Sequence, residues 1–275
     1  MNTHHTPADG WDCHVHVFDP THPAQTGHYQ PVLRDLPEIE QTATVLGMGH
    51  LVLVQPSVYG TDNSLILRAL TREPGRHRGV AVVDTAVTDA ELDDMHRLGV
   101  RGVRFNLVSP VGNGPEAFRA LAPRLKARGW HVQWYARADQ LAAIANLHEG
   151  SGLTAVLDHL AGLHAQLPAA HPAWNTLERL AAQGAWVKLS GWYRLNATAP
   201  YSALQASIRR VASLMGEHLV NANQHGADTV WRMSKNITEP SMANSIASNA
   251  VRSRPMRCAS AGVAIKATAA TASIP

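Results

Sequence analysis

Three features of the chain predict a (β/α)8 barrel. Strand-like and helix-like stretches alternate seven times over about 218 residues, roughly 31 per unit, the spacing of parallel strands joined by crossover helices. The second strand, His50–Ser57, reads as an unbroken apolar run rather than an alternating one, which is how a strand covered on both faces looks. The first strand–helix junction has no glycine-rich phosphate loop, which argues against a doubly wound dinucleotide fold. At 275 residues the chain is close to the usual barrel length and has space for an eighth unit.

The first strand is Trp11–Phe18, apolar and β-branched, with Asp19-Pro20 as its stop. Residues 19–35 form a Pro-, His- and Gly-rich loop. A helix over Leu36–Met48 leads to His50–Ser57 (HLVLVQPS), a turn at Tyr59–Asn63, and a helix over Ser64–Arg72 that Asp62 or Asn63 can cap. The next units are His77–Asp84 with Thr88–Leu98, Val100–Leu107 with Pro115–Arg128, and Trp130–Arg137 with Asp139–His148. Leu153–Leu160 with Pro172–Gln183 and Ala185–Gly191 with Ser202–Met215 complete the seven. Leu219-Val220 can begin an eighth strand, but Asn221–Gly226 is poor strand sequence, so the eighth unit reads as degenerate or incomplete. The expected organisation is a barrel over 1–218 and an atypical, poorly packed segment over 219–275. From 241 onward 18 of 35 residues are Ala, Ser or Thr, without apolar periodicity.

Composition excludes several classes. No run of 18 apolar residues is present, so no membrane-spanning helix is expected, and Met1–Gly10 lacks the apolar core of a secretory signal. Two cysteines, Cys13 and Cys258, without framework spacing suit a reducing cytoplasm. The isoelectric point near 9.1 comes from the tail. Residues 241–275 carry four cations and no acid against a net charge of +3 for the chain, so the first 240 residues sum to −1. A nucleic-acid partner is not expected.

Chemistry in such barrels sits at the C-terminal strand ends. His14 and His16 share one face of the first strand, where two imidazoles can chelate a divalent metal or polarise a carbonyl. Later strands end in Gln55 and Ser57, Arg104 and Asn106, Gln133 and Tyr135, Asp158 and His159, then Lys188, Ser190 and Arg194. Polar groups buried without partners cost about 1–3 kcal/mol each, so six strands ending this way point to one shared site. By strand alternation Asp158 faces away from His159, and Lys188 and Ser190 fit either the site or support of the barrel interior.

The fragments Asp12–Phe18, Gln55-Pro56-Ser57 with Gly60–Asn63, Arg101–Asn106, Leu157-Asp158-His159 and Lys188–Gly191 occur in order. Together they resemble the amidohydrolase-related family, in particular the branch of 2-pyrone-4,6-dicarboxylate lactonase, over roughly residues 10–218. The resemblance implies an amidohydrolase barrel that hydrolyses a lactone or similar ester of a small carboxylated compound. It makes His14, His16 and His159 the site histidines. In metal-dependent relatives they belong to a zinc-type centre; in the lactonase branch no divalent metal is required. The cofactor expectation is therefore none, or one divalent ion on His14, His16 and His159. Tyr29, Ser57, Arg104, Tyr135 and Arg194 are the expected substrate-binding residues, arginine suiting a carboxylate through its planar fork. Two family cations are missing: Gly162 and the region of Pro110 stand where arginines are expected. The strand-eight aspartate is missing too, and Glu217, Asp228 and Glu239 are the acids that follow Arg194. A replaced or frameshifted C-terminus accounts for the abrupt change. Decarboxylation on the same barrel, and ligand binding without turnover, remain the alternatives.

Overall fold

The computed structural model describes residues 10–25, 30–108, 114–221, 255–257 and 264–266. Eight strands form one parallel sheet in sequential order: β1 (Gly10–Val15), β2 (Met48–Val54), β3 (Arg78–Ala81), β4 (Val100–Asn106), β5 (His131–Tyr135), β6 (Ala155–Leu157), β7 (Trp186–Leu189) and β8 (Leu219–Asn221). Seven helices alternate with them: α1 (Leu36–Val45), α2 (Ser64–Arg72), α3 (Asp89–Leu98), α4 (Phe118–Ala127), α5 (Leu141–His148), α6 (Ala173–Ala182) and α7 (Gln205–Met215). Among the described residues no helix is long and apolar enough to cross a membrane.

Two apolar layers explain the curvature. Along β2, Leu51 and Leu53 join the large core beneath the helices. Val52 and Val54 point the other way, into a small cluster with Cys13, Val80 and Val220. That cluster draws on β8, β1, β2 and β3, so the sheet curls until its last strand comes back beside its first. The helices bury one stripe each, as Leu65, Ile66, Ala69 and Leu70 do on α2. Their starts follow capping chemistry: Asp35 accepts from the Glu38 amide, and Thr88 with Glu91 forms a reciprocal capping box.

The strands are shorter than their apolar runs. The run Leu153–Leu160 contains only three strand residues, Ala155–Leu157, and β7 stops at Leu189. Past the ends the ladder thins to single bonds, such as the Asp158 amide donating to the Trp134 carbonyl at 2.9 Å, and burial there comes chiefly from packing, which apolar sequence alone does not separate from strand. The eighth strand begins one residue past the boundary expected at 218. Val187 pairs with Leu219, Lys188 with Val220 and Leu189 with Asn221, so β7 supplies backbone partners that offset the weak strand propensity. Beyond it, an antiparallel pair, β9 (Pro255–Arg257) and β10 (Ala264–Lys266), is the further described structure; the rest of the expected tail lies outside the described residues.

Candidate active site

β1 delivers His14 to the strand ends, with Asp12 Oδ1 accepting from the His14 amide at 3.1 Å. His16 follows just past the strand. Its Nδ1 lies 2.8 Å from the Val54 carbonyl, which can only accept, so Nδ1 carries the proton. The two rings meet edge to face, with Nε2 to Nε2 at 3.3 Å.

Beneath them lies a buried charge network. Lys188 donates to the Cys13 carbonyl at 2.9 Å and to Gln133 Oε1 at 2.7 Å, and its Nζ stands 3.3 Å from His14 Nδ1. Asp158 Oδ1 also stands 3.3 Å from His14 Nδ1, while Oδ2 accepts from Arg104 Nε at 3.0 Å and Gln133 Nε2 at 3.1 Å. His14 Nδ1 thus has an ammonium and a carboxylate at equal distance, and the ring can accept from one or donate to the other. Burial, and then the Lys188 charge, push His14 well below its ordinary pKa, so it is neutral. Burial would raise the Asp158 carboxyl, but His14, Arg104 and Lys188 around it more than offset that and hold it well below the usual carboxylate range.

One sequence expectation changes here. Asp158 does not face away from His159. The strand ends at Leu157, and His159, Leu160, Ala161 and Gly162 all take left-handed φ angles of 51°, 52°, 56° and 71°, so strand alternation no longer applies. Left-handed backbone costs a non-glycine residue about 1–2 kcal/mol, the kind of strain that collects at functional sites. Arg104 has an acidic partner in Asp158, which accepts from its Nε. Among the described residues the two Nη nitrogens of Arg104 make no hydrogen bond.

His159 is buried between Tyr135, whose ring stands edge-on with centroids 4.9 Å apart, and His14, centroids 5.4 Å apart. Its Nδ1 lies 3.1 Å from Ser190 Oγ, and its Nε2 has no partner among the described residues. Burial pushes its pKa down to about 3, so this imidazole too is neutral. The Tyr135 ring carries the guanidinium of Arg104 at 5.3 Å and that of Arg194 at 5.5 Å, and Arg194 Nη1 donates to the Tyr135 hydroxyl at 3.2 Å. Ser57 sits on the same rim, its Oγ accepting from Asn106 Nδ2 at 2.8 Å. His14, His16, His159, Ser57, Arg104, Tyr135 and Arg194 therefore occupy one end of the barrel. Tyr29 lies outside the described residues. Gln55 Nε2 donates to the carbonyls of Gly60 and Asp62, while its Oε1 has no partner among the described residues. Glu217 precedes β8 and so lies at the opposite end of the barrel.

A family profile described as amidohydrolase matches residues 11–220. The chain belongs to the amidohydrolase family. It is 33% identical over 159 residues to a 2-pyrone-4,6-dicarboxylate hydrolase of Comamonas testosteroni, covering 56% of this chain and 52% of that protein. It is 29% identical over 202 residues to a 4-sulfomuconolactone hydrolase of Hydrogenophaga intermedia, covering 70% of this chain and 66% of that one. The chain thus spans about half to two thirds of these curated relatives. A Pseudomonas putida structure described as a 2-pyrone-4,6-dicarboxylic acid hydrolase superposes with a TM-score of 0.70 at 30% identity, covering 78% of this chain and 82% of that one.

In this amidohydrolase the missing arginine at Gly162 has a steric reason. A Cβ there would collide with the backbone of Ala136 to Ala138, and φ is +71°, so no larger side chain fits without moving the turn. The His14–His16 pair suits a divalent ion in part. A nitrogen separation of 3.3 Å is that of two ligands about 2.0–2.1 Å from one tetrahedral zinc, and equally that of one hydrogen bond. Among the described residues no third His, Cys, Asp or Glu converges with them to complete a cluster.

Proposed function

We propose that this amidohydrolase opens the ring of a lactone, or cleaves a related ester, of a small carboxylated compound. The observation that carries this is the pairing, in one barrel mouth, of a buried neutral imidazole and a guanidinium that, among the described residues, leave Nε2 of the one and both Nη nitrogens of the other without a hydrogen-bond partner. Arg104, anchored through Nε by Asp158, offers its Nη edge to a substrate carboxylate. Arg194 and Tyr135 line the way in, and Ser57 borders the same space. Tyr29 belongs to the same proposed set.

The chemistry follows from the histidines. In this reading His159 Nε2 meets the carbonyl oxygen as it gains charge on attack. When His14 Nδ1 donates to Asp158, Nε2 of His14, like that of His16, carries no proton and can take one. An attacking water gives its proton to that pair as its oxygen bonds to the carbonyl carbon. The tetrahedral oxyanion then collapses, the ring C–O bond breaks, and the proton passes to the departing alkoxide, yielding a hydroxy acid. A divalent ion held by His14 and His16 would add Lewis-acid polarisation of the carbonyl. The reading requires none, and His159 is placed with the carbonyl rather than with the ion. The relatives' names, a pyrone dicarboxylate hydrolase and a sulfomuconolactone hydrolase, support an anionic lactone. Cytoplasmic residence fits a chain with two cysteines and no framework spacing. In domain terms the working unit is the barrel, with the segment after β8 an addition to it.

The test is a ring-opening assay with a carboxylated lactone, following both loss of lactone and release of carbon dioxide. Hydroxy acid without carbon dioxide is expected. Carbon dioxide release would make the protein a decarboxylase, and no conversion would leave a barrel that binds without turning over.

A further inference from the structure

We infer that Ser190 is a positioning residue that fixes His159 with its proton on Nε2, so that this imidazole meets its ligand as a hydrogen-bond donor. Ser190 ends the β7 segment, is 2% exposed, and its Oγ lies 3.1 Å from His159 Nδ1. Among the described residues that is the hydroxyl's sole hydrogen bond. Two arrangements are open. If Nδ1 carried the proton and donated to Oγ, the buried hydroxyl hydrogen would have no acceptor and Nε2 would hold a lone pair with no donor. If the hydroxyl donates to Nδ1, both are partnered, and a single N–H, that of Nε2, is left for a ligand. The second leaves fewer buried groups unsatisfied.

The ring cannot turn to escape this choice. Gly191 lies directly against it: a Cβ there would collide with Nδ1 and Cγ of His159. Tyr135 closes the other side edge-on. The left-handed turn from His159 to Gly162 fixes the backbone from which the ring projects. The barrel mouth thus holds two kinds of histidine. His14 has both a donor and an acceptor at Nδ1, so its proton can move. His159 has a hydroxyl alone, so its proton stays on Nε2. A histidine in that state donates to an oxyanion and does not ligate a metal through Nε2. The inference deepens the proposed function by giving His159 its role there, but the tautomer itself does not depend on which substrate binds.

Nitrogen-15 NMR of the ligand-free protein, labelled at histidine, reads the tautomer directly, with the His159 signals identified by their loss in His159→Gln. The expected result is one tautomer with the proton on Nε2 and an Nδ1 signal displaced by an accepted hydrogen bond. In Ser190→Ala the Nδ1 signal should move to the unbonded position, and Ser190→Thr, which keeps the hydroxyl, should restore it. A proton on Nδ1 in the unaltered protein would overturn the inference whether or not the variants fold. An unchanged Nδ1 signal in Ser190→Ala would overturn it as well. An Nε2 proton with the expected shifts, in a protein that opens no carboxylated lactone, would uphold the role of Ser190 and remove the lactonase reading.

Discussion

The barrel wall and the barrel mouth treat buried polar groups differently. In the wall, His148 accepts from the Trp134 indole at 2.8 Å and its Nδ1 meets the Leu153 carbonyl at 3.1 Å. His77 accepts from the Leu51 amide at 3.1 Å and meets Glu40 through Nε2 at 3.0 Å. Both rings are used up. In the mouth, His159 keeps Nε2 free and Arg104 keeps both Nη nitrogens free among the described residues. Burial makes His148 and His159 neutral alike, with pKa values lowered in both. Burial and pKa therefore do not separate structural from functional histidines here; unspent hydrogen-bonding capacity does. His131 and His164 each have an unpartnered Nδ1 as well, so position must be read with capacity: His131 opens β5 at the other end of the strands, away from the mouth, and His164 lies beyond the left-handed turn that His159 begins.

The difference breaks most sharply at Asp158, which both regions share. Asp158→Ala removes the carboxylate between Arg104 and Lys188 and leaves two buried cations. Urea unfolding should show a loss of about 3–5 kcal/mol. A loss below about 1 kcal/mol would mean the network is solvated. His159→Gln should cost about 10²–10³-fold in ring-opening turnover, the size of one lost oxyanion donor, with the unfolding midpoint nearly unchanged. His148→Leu should do the reverse. It leaves the Trp134 N–H and the Leu153 carbonyl without their partner, about 1–3 kcal/mol each, while turnover per folded molecule stays put. If His148→Leu lowered turnover as His159→Gln does, the wall and the mouth would not be distinct.

Acid sharpens the same contrast. His131 is held down to about 3 and His148 below its ordinary value, both mainly by burial. An unfolded histidine takes its proton near pH 6.5. Below that pH the unfolded chain binds protons that the folded chain does not, so stability is full above about pH 6.5 and falls as pH drops toward 3. Melting midpoints should decline over that window, and less steeply in His148→Leu, which lacks one of the groups. A midpoint flat from pH 7 to 4 would contradict the buried neutral state.

Most of the frame was legible in sequence because barrel units repeat a period: seven strands, the polar residues at their ends and the His14–His16 pair all follow from it. The partners beneath the pair were not. Asp158 was assigned to the wrong side because alternation was carried two residues past Leu157, the true strand end, to His159, where a left-handed turn begins that Leu160 and Ala161 do not announce. Lys188 reaches His14 across 174 positions of sequence, which no local pattern encodes. The eighth strand was undervalued because its stability comes from β7 and not from its own residues.

The claim that spare capacity marks ligand contacts is tested most directly, and with the smallest expected effect, at Arg104. Calorimetric titration of the parent protein and Arg104→Met with one carboxylated lactone and its neutral methyl ester isolates the Nη edge. The variant should bind the acid about tenfold more weakly, the value of one lost charge-assisted bond of roughly 1.5 kcal/mol, and the ester nearly as the parent does. Equal losses for both ligands would make Arg104 a support for Asp158 alone, and the carboxylate would lose its place in the account.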